Sequence, residues 1–239
     1  MKVNKTWLVS YPRSGNTWMR FLLSNLLHPA EDVNYNTLHN FIPDMHQLQL
    51  YKGEWKKAEI LKSHFAVFPA YFEPYTKIIY MYRDPRDAAL SDWYYQQGEW
   101  ATHQFHGTLS EWIDKFIEGP GAWGTWREHI WTWCSLPMPS PTLHVCYENL
   151  IDNPLKEMRK ITEFMGWNFD DEALRRTIQK SCYKNLLNIR ARNGQHQKLQ
   201  GLRGTYGGWK EEFSKEDAEK IWNWAKDLML KLGYKKCGF

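Results

Sequence analysis

The sequence has few cysteines and lacks long apolar runs. Its 239 residues include four cysteines, Cys134, Cys146, Cys182 and Cys237, and none of them stands at the CxxC spacing of a zinc site. A disulfide framework is not indicated either. The apolar run at residues 7–9 is too short for a signal peptide, and no segment approaches the ~18 uncharged apolar residues of a membrane span. We therefore expect a cytoplasmic protein with no membrane span.

A strong excess of one charge is also missing. Lys and Arg number 31 and Asp and Glu number 27, which gives a net charge of +4. This balance suits an anionic small ligand and is too weak to indicate nucleic acid or a membrane surface as the partner. The sequence contains no repeat of fixed period, and its length is about one and a half typical domains. We therefore predict a single domain over residues 1–239.

Short apolar runs of strand length alternate with segments of helical spacing. The predicted strands cover residues 6–11, 59–63, 77–82 and 142–147, and the clearest helical patterns cover residues 17–27, 108–117, 154–165 and 214–232. This alternation predicts an α/β fold with a central, mainly parallel sheet flanked by helices. In such sheets ligands bind beyond the carboxyl ends of the strands.

A short loop at residues 12–16 joins the first predicted strand to the first predicted helix. This arrangement points backbone N–H groups and a helix N-terminus at one place, which attracts an anion. Gly15 allows a phosphate to approach the backbone, Thr17 can donate from its hydroxyl, and Arg13 supplies a permanent charge. The loop lacks the GxxxxGK[ST] pattern, which disfavours a Mg²⁺-dependent P-loop NTPase.

Five segments, in the same order along the chain, resemble the PAPS-dependent sulfotransferases. YPRSGNTW at 11–18 is similar to the family's 5′-phosphosulfate loop, and LKSHFAVFP at 61–69 to the strand that carries its catalytic histidine. IIYMYRDPRDAALSDWYY at 78–95 is similar to the 3′-phosphate segment. YENL at 147–150 and LRGTYGGWKEEFS at 202–214 resemble two later elements. The resemblance implies a soluble enzyme of the cytosolic or bacterial type with a P-loop-like three-layer fold.

The resemblance also implies the reaction. The donor would be 3′-phosphoadenosine 5′-phosphosulfate (PAPS), and the product adenosine 3′,5′-bisphosphate (PAP). The sulfuryl group would pass in line to a hydroxyl of a small-molecule acceptor, with an amine as the second option. No metal is needed in this scheme, because cationic side chains take the place of Mg²⁺. Residues 213–219 do not show the family's KxxxTVxxxE dimer element, so a monomer and a dimer both stay open.

The residues implied for donor binding fall into three groups. Those at the 5′ side are Arg13, Ser14, Gly15, Asn16 and Thr17. Those at the 3′-phosphate are Arg83, Ser91, Arg203 and Gly204, and those near adenine are Trp18, Tyr147, Ser181 and Tyr183. Leu202 stands where the family usually has a basic residue, so Arg190 or Arg192 could also bind the 3′-phosphate.

Three catalytic residues follow from the same comparison. His64 is the expected general base, because LKSH matches the family's KTH and an imidazole with a pKa of about 6.5 can take the proton of a hydroxyl. Lys62 would stabilise charge on the sulfuryl oxygens and on the bridging oxygen. Arg13 replaces the family's common lysine; it can stabilise the leaving phosphate but cannot donate a proton.

Aromatic residues make up 16% of the chain, and many fall between residues 92 and 135, where we expect the acceptor wall. Asp44, Glu54, His103 and His106 are further polar candidates on the acceptor side. Two other functions stay open at this point. Arg13, Leu202 and Gly208 depart from the family pattern, so the first alternative is a nucleotide-binding module without transfer activity. A P-loop-like kinase would instead show Mg²⁺-dependent binding of ATP.

Overall fold

A computed structural model describes residues 5–47, 58–66, 77–98, 101, 104–119, 121–138, 140–192 and 204–236, without the side chains of residues 190–192. Its centre is a parallel four-stranded sheet in the order β2-β1-β3-β4. The strands are β1 (Thr6–Ser10), β2 (Ile60–Ser63), β3 (Lys77–Tyr82) and β4 (Thr142–Cys146). All four predicted strands are confirmed, and two end one residue earlier than expected.

Helices fill the connections between the strands and the region after them. Within the described residues they are α1 (Asn16–Leu27), α2 (Leu38–Phe41), α3 (Pro85–Gln96), α4 (Leu109–Glu118), α5 (Trp126–Ser135), α6 (Tyr147–Asp152), α7 (Pro154–Met165), α8 (Asp171–Lys180), α9 (Tyr183–Arg192), α10 (Trp209–Glu212) and α11 (Lys215–Lys231). Capping fixes several starts. Thr108 and Glu111 form the expected capping box of α4, and Ser214 accepts from the N–H of Asp217 at the start of α11.

The sheet separates two hydrophobic cores, since alternate strand residues point to opposite faces. Trp7 and Val9 of β1 face a core shared with α3, α4, α5 and α11. Leu8, between them, faces a second core shared with α1, α7 and α8. The predicted three-layer α/β fold is therefore confirmed. In the described part of the chain, no helix is both long and apolar enough to cross a membrane.

Candidate functional site

The loop after β1 makes a tight turn into α1. Gly15, the N-cap of α1, has a φ of 91°, in the left-handed region that favours glycine. A Cβ at this position would lie 2.5 Å from Cδ2 of Tyr147, so a side chain could not enter without displacing that ring. The first turn of α1 leaves its N–H groups without intrahelical partners. The structure therefore presents backbone donors where the sequence predicts an anion.

Two arginines converge beside this loop. Arg83, just beyond β3, donates from Nη1 to the carbonyl oxygen of Arg13 at 3.1 Å and from Nη2 to that of Thr205 at 3.1 Å. Arg13 donates from Nε to Oγ of Ser91 at 3.2 Å, and its guanidinium lies 4.7 Å from the ring centroid of Tyr95. The predicted 5′-side and 3′-phosphate residues are thus adjacent, with Ser91 in contact with Arg13.

The residues expected near adenine also lie together. Trp18 donates from Nε1 to the carbonyl oxygen of Ser181 at 2.9 Å, and its ring meets that of Tyr147 edge-on at 6.0 Å between centroids. A Cβ on Gly204 would lie 2.7 Å from Cβ of Tyr183, which places the C-terminal loop against the start of α9. Arg203 and Leu202, and the side chains of Arg190 and Arg192, lie outside the described residues.

Two buried donors in this region have no hydrogen-bond partner among the described residues. Among the residues that the structure describes, Oγ of Ser14 and Nε of Arg83 are buried and find no hydrogen-bond partner. Ser14 is 0% exposed and Arg83 is 8% exposed, so water does not easily satisfy them. Native proteins rarely leave buried donors unpaired. A phosphate fits this site, because its oxygens accept several such bonds.

His64 follows the last residue of β2 and lies against the end of β1. Its Nδ1 is 2.7 Å from the carbonyl oxygen of Ser10. A carbonyl oxygen can only accept, so Nδ1 carries the proton and the lone pair is on Nε2. Burial, followed by the charge of Lys62, lowers the pKa of His64 well below 6.5, against the opposing effect of the Ser10 carbonyl. His64 is therefore a neutral base near pH 7.

Lys62 is held in a buried ion pair that the sequence does not reveal. Its Nζ lies 2.7 Å from Oδ2 of Asp44, and the two side chains are 10% and 13% exposed. Burial lowers the pKa of Lys62 to about 8, although Asp44 acts in the opposite direction. Asp44, one of the polar candidates on the acceptor side, is the counter-ion of Lys62. Nothing in the spacing of these two residues signals the contact.

Three of the six described tryptophans between residues 92 and 135 belong to the protein interior and not to an acceptor wall. Trp126 and Trp133 are 0% exposed and Trp112 is 5% exposed. Trp123 differs, because its ring meets the ring of His64 edge-on at 5.8 Å between centroids. The expectation for the aromatic wall is thus wrong for the three buried rings. Glu54, Trp100 and His103 lie outside the described residues.

Two further histidines, His46 and His129, contact His64. The backbone N–H of His64 donates to Nε2 of His46 at 2.8 Å, and Nε2 of His129 lies 3.3 Å from the carbonyl oxygen of His64. The helical spacing of Trp126, His129, Ile130 and Trp133 marks His129 as buried, but no sequence pattern shows its contact with His64, and none marks His46. Within the described ranges, no group of three or more His, Cys, Asp or Glu side chains has the arrangement of a metal site.

Comparison with known proteins identifies the relatives of this chain. A family model described as Sulfotransferase domain matches residues 4–233. Sulfotransferase 1B1 of Mus musculus is 26% identical over 237 residues, which cover 90% of this chain and 79% of that protein.

Solved structures share the fold at low sequence identity. Mouse sulfotransferase SULT7A1 complexed with PAP has a TM-score of 0.72 and 19% identity, over 96% of this chain and 86% of that chain. Retinol dehydratase in a complex with retinol and PAP has a TM-score of 0.72 and 17% identity, over 96% and 82% of the respective chains. At these identities the similarity supports the P-loop-like fold and nothing finer.

Proposed function

Because this chain belongs to the sulfotransferase family, we propose that it transfers the sulfuryl group of PAPS to a hydroxyl of a small-molecule acceptor and releases PAP. An amine is the second acceptor class. One observation carries this proposal: His64 presents a bare Nε2 while its Nδ1–H is fixed on the carbonyl of Ser10, directly before the anion-binding loop. The presence of PAP in the two structural relatives supports the choice of donor.

We assign the two ends of the donor to the two groups of cationic and backbone donors. The N–H groups at the start of α1 and the side chains of Arg13, Ser14 and Thr17 would hold the 5′ side. Arg83 would hold the 3′-phosphate, with Gly204 beside it. The unpartnered donors of Ser14 and Arg83 in the described part of the chain supply the fit.

The remaining assignments complete the binding site. Asn16 donates from Nδ2 to Oγ of Ser10 at 3.1 Å and so ties the loop to the strand end beside His64. Ser91 would act through its contact with Arg13. The ring-lined space for adenine would be formed by Trp18, Tyr147, Ser181 and Tyr183. We further propose that residues 1–239 act as one domain and that the reaction needs no metal.

The chemistry of the chain itself then follows from charge and protonation. When bound, PAPS supplies an activated sulfuryl group attached to a phosphate leaving group. Nε2 of His64 accepts the acceptor's proton, and the Nδ1–H bond to Ser10 keeps the ring in the required tautomer. Lys62, whose pKa of about 8 keeps it cationic at pH 7, stabilises the negative charge that develops. Arg13 balances charge on the leaving phosphate.

The test combines turnover with binding. Transfer of radiolabelled sulfate from PAPS is measured over a panel of phenols, alcohols and amines, and PAP binding is measured by calorimetry. We expect His64→Ala to lower kcat by about 10²-fold or more while PAP affinity changes by less than about threefold. His28→Ala, at the exposed end of α1, is the matched control and should retain activity.

The possible outcomes separate the alternatives. Full activity in His64→Ala would remove the general-base role. PAP binding by the wild type with no transfer to any acceptor would favour a nucleotide-binding module. Mg²⁺-dependent ATP binding in the absence of PAP binding would favour the kinase, which the family match does not support.

A further inference from the structure

The backbone N–H and carbonyl groups of His64 and Phe65 all contact side chains. The N–H of His64 donates to Nε2 of His46 at 2.8 Å, and its carbonyl oxygen lies 3.3 Å from Nε2 of His129. The N–H of Phe65 donates to Oγ of Ser63 at 3.1 Å, and its carbonyl oxygen accepts from Nε1 of Trp133 at 2.9 Å. A loop beyond a strand end normally leaves such groups to water, so this segment is fixed unusually well.

The hydrogen bonds define the protonation state of both flanking histidines. Because the N–H of His64 donates, Nε2 of His46 is an acceptor and the His46 ring is neutral. The carbonyl of His64 can only accept, so Nε2 of His129 carries a proton. Nδ1 of His129 then accepts from the hydroxyl of Tyr80, at 2.8 Å. Burial, the first cause in each case, lowers the pKa of His46 to about 4 and of His129 to about 3.

The two histidines approach His64 from different elements. His46 lies in the segment after α2, with its ring parallel to that of His64 at 6.1 Å between centroids and an interplanar angle of 2°. Trp123 packs edge-on against His46 at 4.1 Å. His129 lies on α5, is 0% exposed, and stacks on Tyr80 of β3 at 5.6 Å. Three separate parts of the fold therefore meet at one backbone unit.

We propose that His46 and His129 are positioning residues for His64. They hold its N–H and its carbonyl from opposite sides, so that Nδ1 stays on the Ser10 carbonyl and Nε2 stays directed toward the donor site. This inference rests on the proposed function of His64 as the base. A displacement of about 1 Å in a reacting group can cost about 10²-fold in rate, so loss of either bond should lower kcat and leave nucleotide binding intact.

The variants separate the hydrogen bond from the packing. His46→Leu and His129→Leu remove the bonds to His64 while keeping apolar bulk. His46→Gln and His129→Gln place an amide oxygen and an amide N–H, respectively, near the position of Nε2. We expect each Leu variant to lose about 10-fold to 10²-fold in kcat, with the KM for PAPS and the affinity for PAP within about threefold of wild type. Each Gln variant should recover most of the loss.

A packing control comes from the same helix as His129. Ile130 is 1% exposed, so Ile130→Ala should lower the urea concentration at the midpoint of unfolding and leave kcat unchanged at temperatures where the variant is folded. Full kcat in the Leu variants would overturn the proposal, as would equal losses in the Gln and Leu variants. Should a Leu variant not fold, Tyr80→Phe provides a second test. It removes the hydroxyl that donates to Nδ1 of His129, and its kcat shows whether this hydrogen bond supports the positioning of His64.

A second measurement does not depend on turnover. Nitrogen NMR of ¹⁵N-histidine-labelled protein reports the His64 tautomer directly. We expect one tautomer in the wild type, with the proton on Nδ1, and a mixture in His46→Leu and His129→Leu. An unchanged His64 tautomer together with unchanged kcat would refute positioning. A wild type that shows the fixed tautomer but transfers no sulfuryl group would contradict only the proposed function. The effect of the Leu variants on the His64 tautomer would then still decide whether His46 and His129 position His64.

Discussion

The buried pair of Lys62 and Asp44 makes a prediction that depends on pH. Asp44→Asn removes the carboxylate that lies 2.7 Å from the ammonium of Lys62 and keeps the volume of the side chain. Removal of one partner of a buried ion pair raises the free energy of the remaining charge by about 3–5 kcal/mol. Lys62 can avoid most of that cost by releasing its proton, because its pKa is already lowered to about 8.

The loss of stability in Asp44→Asn depends on whether Lys62 keeps or releases its proton. One pKa unit is worth about 1.4 kcal/mol, so a loss of about 4 kcal/mol lowers the pKa of Lys62 from about 8 to about 5. At pH 7 the folded variant then carries a neutral Lys62, at a cost of only about 1 kcal/mol relative to wild type. Near pH 5 the cost reaches about 4 kcal/mol. Between these values the folded wild type binds one proton more than the folded variant, so the difference grows as pH falls.

Urea unfolding of wild type and Asp44→Asn at pH 5 to 8 measures this difference in the free energy of unfolding. The double variant Asp44→Asn with Lys62→Met is the control, since it has no ammonium to leave unpaired. Its stability relative to wild type should vary little between pH 5 and 7, because the double variant has no ammonium at position 62 and the wild type keeps Lys62 protonated there. A constant difference between Asp44→Asn and wild type, or an equal pH dependence in the double-variant comparison, would refute the reasoning.

Two other predictions address the binding loop and the reacting groups. Gly15→Ala should weaken PAP binding by more than tenfold in calorimetry, because φ is 91° and the new Cβ meets the ring of Tyr147. Gly207→Ala is the control: its φ is 82° and no atom lies within 4 Å of its Cβ, so it introduces only backbone strain. Equal losses of PAP affinity in the two variants would refute the steric argument. The pH profile of kcat/KM should keep its acid limb well below 6.5, where His64 gains a proton, and show a basic limb near 8, where Lys62 loses its charge. An acid limb at 6.5 would contradict the lowered pKa of His64.

The sequence predicts the sheet and the binding loop well because both depend on local patterns. Each strand is a short apolar run, and the loop around Gly15 combines strand, turn and helix start within eight residues, 10–17. The helix start at Trp126 was missed, although Thr125 and Glu128 form a capping box that the sequence displays. The start of α8 was also missed, although Asp170 caps it.

The contacts around His64 could not be predicted from the sequence. His46 is 18 residues from His64 and His129 is 65 residues away. The helical spacing of Trp126, His129, Ile130 and Trp133 predicts that His129 is buried, but it does not show which residue His129 contacts. They meet because the segment before residue 47 runs beside β2 and because α5 packs on the face of β3 that carries Tyr80. The partner of Lys62 was hidden for the same reason. Such pairs follow from the packing of separate layers and not from local spacing.

The most direct test is a crystal structure of the protein with PAP bound. We predict that the 5′-phosphate accepts from the N–H groups at the start of α1, that the 3′-phosphate contacts Arg83, and that Nε2 of His64 faces the 5′-phosphate. A nucleotide bound away from the loop around Gly15, or a His64 ring that points Nε2 away from the 5′-phosphate, would contradict it.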